Sequence, residues 1–422
     1  MPWPLITRIW FRFCCLFFAC YIFFNPNGFF PFIDYPYDIY IQPFHRLIPW
    51  IGRHILHLPY EVTSFTNGSG DTTYDYVMLL FLTVLAILGC IVWTYADSRR
   101  PGYNTLYYWV TALVRYYLAF TMLNYGFSKL FKTQFPFPTP FSLMEPLGNA
   151  SPMHLAWNFL GYSRGYNFFM GFAEVSSGLL LLFRRTVRIG AILSLVVAVN
   201  IMAINYGFDV CVKLLSTVMV LMALFLLLQD RERHADFFLR NRPVHPHGNP
   251  VPAFGKKWMN RSLIVLKYLL IATVLAGNIY GHIQAVRDRD PGAARVPLYG
   301  VYNVQTFILN KDTLAPLTTD TTRWRNLMVS YAGRGHIRFM NDTIRAYAFE
   351  VDSSARKIVI YSRNDTTHKS HLAYSLMGKD SLMIRGKWLQ DSVVITFTKY
   401  QLDKFLLVNR GFHFINELPF QR

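Results

Sequence analysis

Apolar residues run in long blocks over the first two-thirds of the chain and alternate with polar ones over the last third. The long blocks fall at 8–24, 77–96, 107–131, 165–183, 188–206, 211–228 and 263–281. Each is close to the roughly 20 residues that carry a helix across a bilayer. The pattern therefore predicts a bundle of about seven transmembrane helices. The first block is interrupted by Arg12 and is the weakest of them. From residue 296 onward short runs with a period of two recur, among them NLMVSYA, HIRFMN, RAYAFEV, KIVIYSR, HLAYSLM, SLMIRGKWL, SVVITFTKY and KFLLVNR. Period two places one face of a strand inward, and turn residues such as Asn-Asp and Gly-Lys-Asp separate the runs. Residues 296–422 are thus expected to form an antiparallel β-barrel or sandwich whose closure would remove exposed edges.

Between the blocks, Arg99 and Arg100, then Arg184, Arg185 and Arg188, then the basic segment 231–262 fall on one side if all seven blocks cross. Basic loops stay in the cytoplasm, so the N-terminus is expected inside and the β-domain outside. In a bacterial envelope this means an inner-membrane protein with a periplasmic domain. Two loops, 25–76 and 132–164, are then external. The first contains IQPFHRLIPWIGRHILHL, which is amphipathic and suited to lying in the interface. The second carries the Phe-Pro repeat QFPFPTPF.

Composition agrees with the pattern: 53% of residues are hydrophobic and only 16% charged. The formal net charge of +18 fits basic loops beside anionic lipid head groups, and no basic helix or base-stacking platform points to nucleic acid. The five cysteines all lie in or beside apolar segments and form no C-x-x-C pair, which argues against thiol–disulfide exchange. His54, His57 and Glu61, with His45 upstream, resemble a metal set, but loop histidines are far more often ordinary, and no metal is expected. No histidine sits in the middle of a block, so a transmembrane bis-histidine haem is not expected either.

Polar residues inside the blocks are costly and therefore informative. Glu174 lies mid-block, with Gly171, Ser177 and Gly178 on or beside its face. Asn200, Asn205, Asp209 and Lys213 follow, and Lys129 ends the third block on the same outer side. Asp209 and Lys213 are four residues apart, and an ordinary helix start with an ion pair would explain those two. Snorkelling would explain Lys129. Packing alone would explain Glu174 as well as a proton or ligand role would. Taken together, the six residues predict a polar cavity opening outward, in which Asp209 and Lys213 neutralise one another and Glu174 is left as the unpaired acid. Glu174, Asp209 and Lys213 are the candidate catalytic residues, and Lys129, Asn200 and Asn205 the candidate ligand-binding ones.

The chain carries Tyr125-Gly126-Phe127-Ser128-Lys129-Leu130-Phe131, then Ala173-Glu174 and Gly178-Leu-Leu-Leu, then Arg184-Arg185, Gly190-Ala191 and Asn200, and then Asn205, Asp209 and Lys213 at four-residue spacing with Leu214 directly after. On these motifs residues 107–230 resemble the DoxX family, within the DoxD-like group of four-helix membrane proteins. The resemblance implies a DoxX-like four-helix core at 107–230. Residues 1–106 would add helices and an outer loop, 231–262 a cytoplasmic loop, 263–281 a last helix and 296–422 the β-domain. It further implies a redox-associated subunit binding a quinone or another lipid-like molecule. The competing expectation is a non-enzymatic envelope assembly protein that meets a protein partner through its β-domain.

Overall fold

The structure is a computed structural model that describes residues 3–27, 34–63, 68–228, 231–243, 255–289 and 296–420. Asn249 and its neighbours in the expected basic loop lie outside the described residues. The chain divides into two units, Met1–Phe135 with Pro152–Val286, and Pro136–Ser151 with Arg287–Arg422.

The first unit is helical. Its main helices are α1 (Leu5–Phe24), α4 (Thr73–Ala96), α5 (Asn104–Leu130), α8 (Arg164–Leu182), α9 (Val187–Gly207), α10 (Lys213–Leu228) and α12 (Lys257–Arg289), so a helix stands at every apolar block. Shorter helices α2 (Asp34–Tyr40), α3 (Gln42–His54) and α7 (Pro152–Tyr162) occupy the intervening loops, and α11 (Arg231–Phe238) follows α10. Among the described residues, α1, α4, α9 and α12 are long and apolar enough to cross a bilayer, which marks the chain as a membrane protein. At 27 and 19 residues α5 and α8 are also long, but they carry the polar groups of the site.

Arg12, which interrupts the first apolar block, is fully buried in α1, and four of its five N–H donors have acceptors. Its guanidinium donates to Tyr103 Oη at 2.8 and 3.0 Å, Thr94 Oγ1 at 3.0 Å and the Asp97 carbonyl at 2.8 Å. Tyr103 in turn donates to Asp97 Oδ2 at 3.0 Å. A buried cation is tolerated where it is well hydrogen-bonded, and this network ties α1 to the end of α4 and the start of α5.

The second unit is a β-barrel. Strands β1 (Gly300–Leu309), β3 (Trp324–Tyr331), β4 (Gly333–Phe339), β5 (Ile344–Asp352), β6 (Lys357–Ser362), β7 (Asp365–Leu376), β8 (Ser381–Trp388) and β9 (Asp391–Tyr400) each pair antiparallel with the next, and β9 returns to β1. Eight strands thus close without an edge, and the two-residue β2 (Asp312–Thr313) folds back on β1. The interior is filled by Phe307, Trp324, Leu327, Phe349, Ile395 and Phe397, so it is a packed core. Arg323 is buried and donates to the carbonyls of Gln305 and Leu314. Burial holds its pKa below the ordinary arginine value.

Two strand assignments change. KFLLVNR is no strand: Leu402–Lys404 form a 3-10 turn and Leu406–Asn409 a short helix. Its apolar residues are consecutive, a pattern that does not separate strand from helix. The eighth strand is β1, whose alternation is masked by a bulge between Val304 and Thr306.

The segment 136–151, between the α5 and α7 helices, belongs to the barrel unit. Its helix α6 (Pro140–Met144) starts at Thr139, whose hydroxyl accepts from Ser142 N.

Candidate functional site

The site begins with the packing of α5 on α8. A Cβ at Gly126 would stand 2.8 Å from Val175 N, one at Gly171 2.8 Å from the Gly126 carbonyl, and one at Gly178 2.9 Å from the Ala119 carbonyl. These glycines let the two backbones approach closely, as small residues do between membrane helices. The approach carries the last turn of α5 against the middle of α8. There Lys129 Nζ lies 2.8 Å from each carboxylate oxygen of Glu174, and the two side chains are only 6% and 2% exposed. The ammonium also faces the rings of Tyr125 and Phe135, 5.7 and 5.6 Å from their centroids.

Glu174 is therefore not the unpaired acid that the sequence suggests; Lys129 is its partner. The snorkelling expected of Lys129 does not occur, because the glycine contact leaves the carboxylate within reach of a side chain turned inward. Losing one member of such a pair is expensive, since the other charge stays buried without compensation.

The pair lines a cavity of about 360 Å³. Its walls are apolar side chains of α8, α9 and α10, among them Met170, Ala173, Val197, Ile201 and Met219. Asn200, Asn205, Gln134 and Ser216 add polar groups, and Phe135 and Trp157, 5.0 Å apart edge to face, line it from the connecting segments. Phe169 and Val196, which also line it, are 66% and 62% exposed on the flanks of α8 and α9. The cavity thus has an apolar rim between those helices. Asn205 is partly committed already, donating to the Val212 carbonyl at 3.2 Å.

Of the six candidates, the structure brings Lys129, Glu174, Asn200 and Asn205 to this cavity; Asp209 and Lys213 are not among its lining residues. The Asp209 side chain is 82% exposed and its backbone is left-handed, with φ +51°, at the turn that ends α9. Lys213 Nζ binds Asp209 Oδ1 at 2.8 Å, the expected local ion pair. The helix cap at this point is Asp71 rather than Asp209: its carboxylate accepts from Lys213 N at 2.6 Å and Leu214 N at 2.9 Å. This carboxylate is contributed from 142 positions earlier in the chain, a distance that no local pattern reveals. Sequence reading also missed Tyr125, Gln134, Phe135 and Trp157. Tyr125 could have been found, since it stands four residues before Lys129 on the same helix face.

No family model and no solved structure matches the chain. Over 135 residues, 32% of its length, it is 38% identical to the uncharacterized protein YwoB of Bacillus subtilis (strain 168), and the match covers 85% of that protein.

Proposed function

Because the chain belongs to the family of YwoB, a protein described as uncharacterized, function has to be read from the site, and we propose that the cavity binds a quinone or another lipid-like molecule. The observation that carries this reading is the cavity's make-up: about 360 Å³ enclosed by mostly apolar side chains, with the buried Lys129–Glu174 pair among its lining. That volume falls in the range of small-molecule sites, and a few convergent polar groups in an apolar pocket are what orient a ligand. The rim at Phe169 and Val196 would admit a molecule dissolved in the bilayer. The carboxamides of Asn200 and Asn205 and the Lys129 ammonium can donate to a carbonyl, and Glu174 can accept from a hydroxyl.

In this reading the chain is a DoxX-like inner-membrane protein of about seven spans, N-terminus inside and barrel in the periplasm, and it serves a redox system as a quinone-handling subunit. Asp209 and Lys213 hold the α9–α10 turn in this scheme, and the chemistry rests on Glu174 and Lys129. The second reading, an assembly module, is favoured by the packed barrel, which leaves its surface for partners.

Mass spectrometry of small molecules extracted from the purified protein tests the first reading. A quinone or comparable amphiphile should be enriched over bulk lipid, and Ala173→Phe, which fills the cavity, should remove it. Identical extracts from both proteins would refute the assignment.

A further inference from the structure

Three cations of the helical unit gather away from the cavity, and none of them lines it. Arg115 lies in α5, Lys267 in α12 and Arg184 at the turn between α8 and α9. Lys267 Nζ stands 5.5 Å from the ring centroids of Phe183 and Tyr268, and Arg184 Cζ stands 5.4 Å from that of Tyr108. Tyr108 precedes Arg115 by two helical turns on the same face of α5. The charges that act on Lys267 are those of Arg115 and Arg184, both of its own sign. Like charges held together at the edge of an apolar bundle repel with little screening, so the grouping is costly until an anion joins it.

Arg115 sharpens the point. It is buried, 9% exposed, and its Nε is shut away from solvent without a hydrogen-bond partner. Arg12, the other buried arginine of this unit, shows the contrast, with acceptors on four of its donors. A buried donor left without an acceptor costs free energy that an incoming oxygen would recover. Arg184 sits where the chain turns back between two long helices, and long basic side chains deeper in a bundle reach toward such a level. The surface beside them is apolar and open. Phe183 and, one turn away on the same face of α8, Leu179 are exposed, as are Leu266 and Leu269 on α12.

We propose that this cluster binds the phosphate of an anionic phospholipid, with Arg115 and Lys267 on the phosphate oxygens and the acyl chains along the apolar flank beside Phe183. Guanidinium and ammonium donors suit phosphate oxygens, and basic pockets between membrane helices hold lipid head groups. A lipid fits better than free phosphate, because the exposed flank has room for chains from which an inorganic anion gains nothing. The site is independent of what the cavity holds.

Native mass spectrometry of the full-length protein in mild detergent, titrated with dioleoyl-phosphatidylglycerol or with dioleoyl-phosphatidylcholine, tests it. Phosphatidylglycerol should be retained more tightly than phosphatidylcholine, and Arg115→Gln and Lys267→Gln should each weaken its retention about fivefold. Arg99→Gln, which removes an exposed charge elsewhere, should leave it unchanged. Equal retention of the two lipids, or an Arg99→Gln loss as large as that of Lys267→Gln, would mean attraction by net charge alone and would overturn the proposal. So would displacement of the lipid by inorganic phosphate beyond that caused by acetate at the same ionic strength, which would make the site one for free phosphate. Should Arg115→Gln fail to fold, Lys267→Gln, at a partly exposed position, decides.

Discussion

Replacing Lys129 by Met should destabilise the protein far more than an ordinary surface change. The ammonium is within 2.8 Å of both Glu174 oxygens, and no other residue donates a hydrogen bond to that carboxylate among the described residues. Truncating one partner of a buried pair costs about 3–5 kcal/mol, because the remaining charge loses its compensation. Glu174→Gln alone should also be costly, since it leaves the ammonium facing only a neutral amide and two rings. Combining the two puts a neutral, well-sized pair at the site, and such replacements are often close to neutral. The double variant should therefore be more stable than either single one, with a coupling energy on the order of 2–4 kcal/mol. Denaturant titration of the purified protein in mild detergent, followed by tryptophan fluorescence, measures all four corners of the cycle. Losses that simply add would mean that the two groups do not interact, and the reasoning from their geometry would be wrong. Ligand retention should behave differently: the double variant recovers stability without recovering binding.

Tyr103→Phe removes the hydroxyl that accepts two Arg12 hydrogen bonds and donates to Asp97, and should cost about 1–3 kcal/mol in the same titration. An unchanged midpoint would show that Arg12 finds other acceptors. Docking of the 136–151 segment, whose Phe141 ring stacks on His336, should weaken in acid. Burial, with Arg334 nearby, lowers the His336 pKa from 6.5 to about 4, so the undocked state binds the proton more readily between those values. Docking is at full strength above about pH 6.5 and is progressively lost as the pH falls toward 4. Exchange over 136–151 that stays flat from pH 7 to about pH 4.5, after correction for the intrinsic rate, would contradict this. Topology is open to cysteine labelling in intact cells. An impermeant maleimide should reach Asn364→Cys and miss Ser98→Cys, and the reverse pattern would invert the proposed orientation.

The architecture was readable where pattern and physics coincide. Helices stand at each long apolar block, and seven of the eight barrel strands fall on the alternating runs, because burial on one face or all faces is a local property of sequence. What failed was non-local or locally ambiguous. The bulge in β1 broke its alternation, and KFLLVNR offered too few periods to decide. At the site, Glu174 and Lys129 stood out as polar residues at apolar-block positions. Their pairing depends on how closely α5 and α8 approach at Gly126 and Gly171, which spacing along one helix cannot state. Asp209 and Lys213 were drawn into the site by the same polarity argument. A cap from Asp71 satisfies the helix terminus instead. The Phe-Pro repeat in 132–164 read only as an external loop, whereas residues 136–151 pack on the barrel, where Val301 and Met328 offer an apolar patch.

The claim that the cavity holds a lipid-like molecule is tested most directly by photolabelling the wild-type protein in membranes with an azido-quinone and mapping the adducts. The account predicts adducts on cavity residues such as Met170 and Met219, suppressed by excess decylubiquinone and absent from Ala173→Phe. Adducts spread over the lipid-facing flanks of α4 and α12, unaffected by competitor or by the filled cavity, would contradict it.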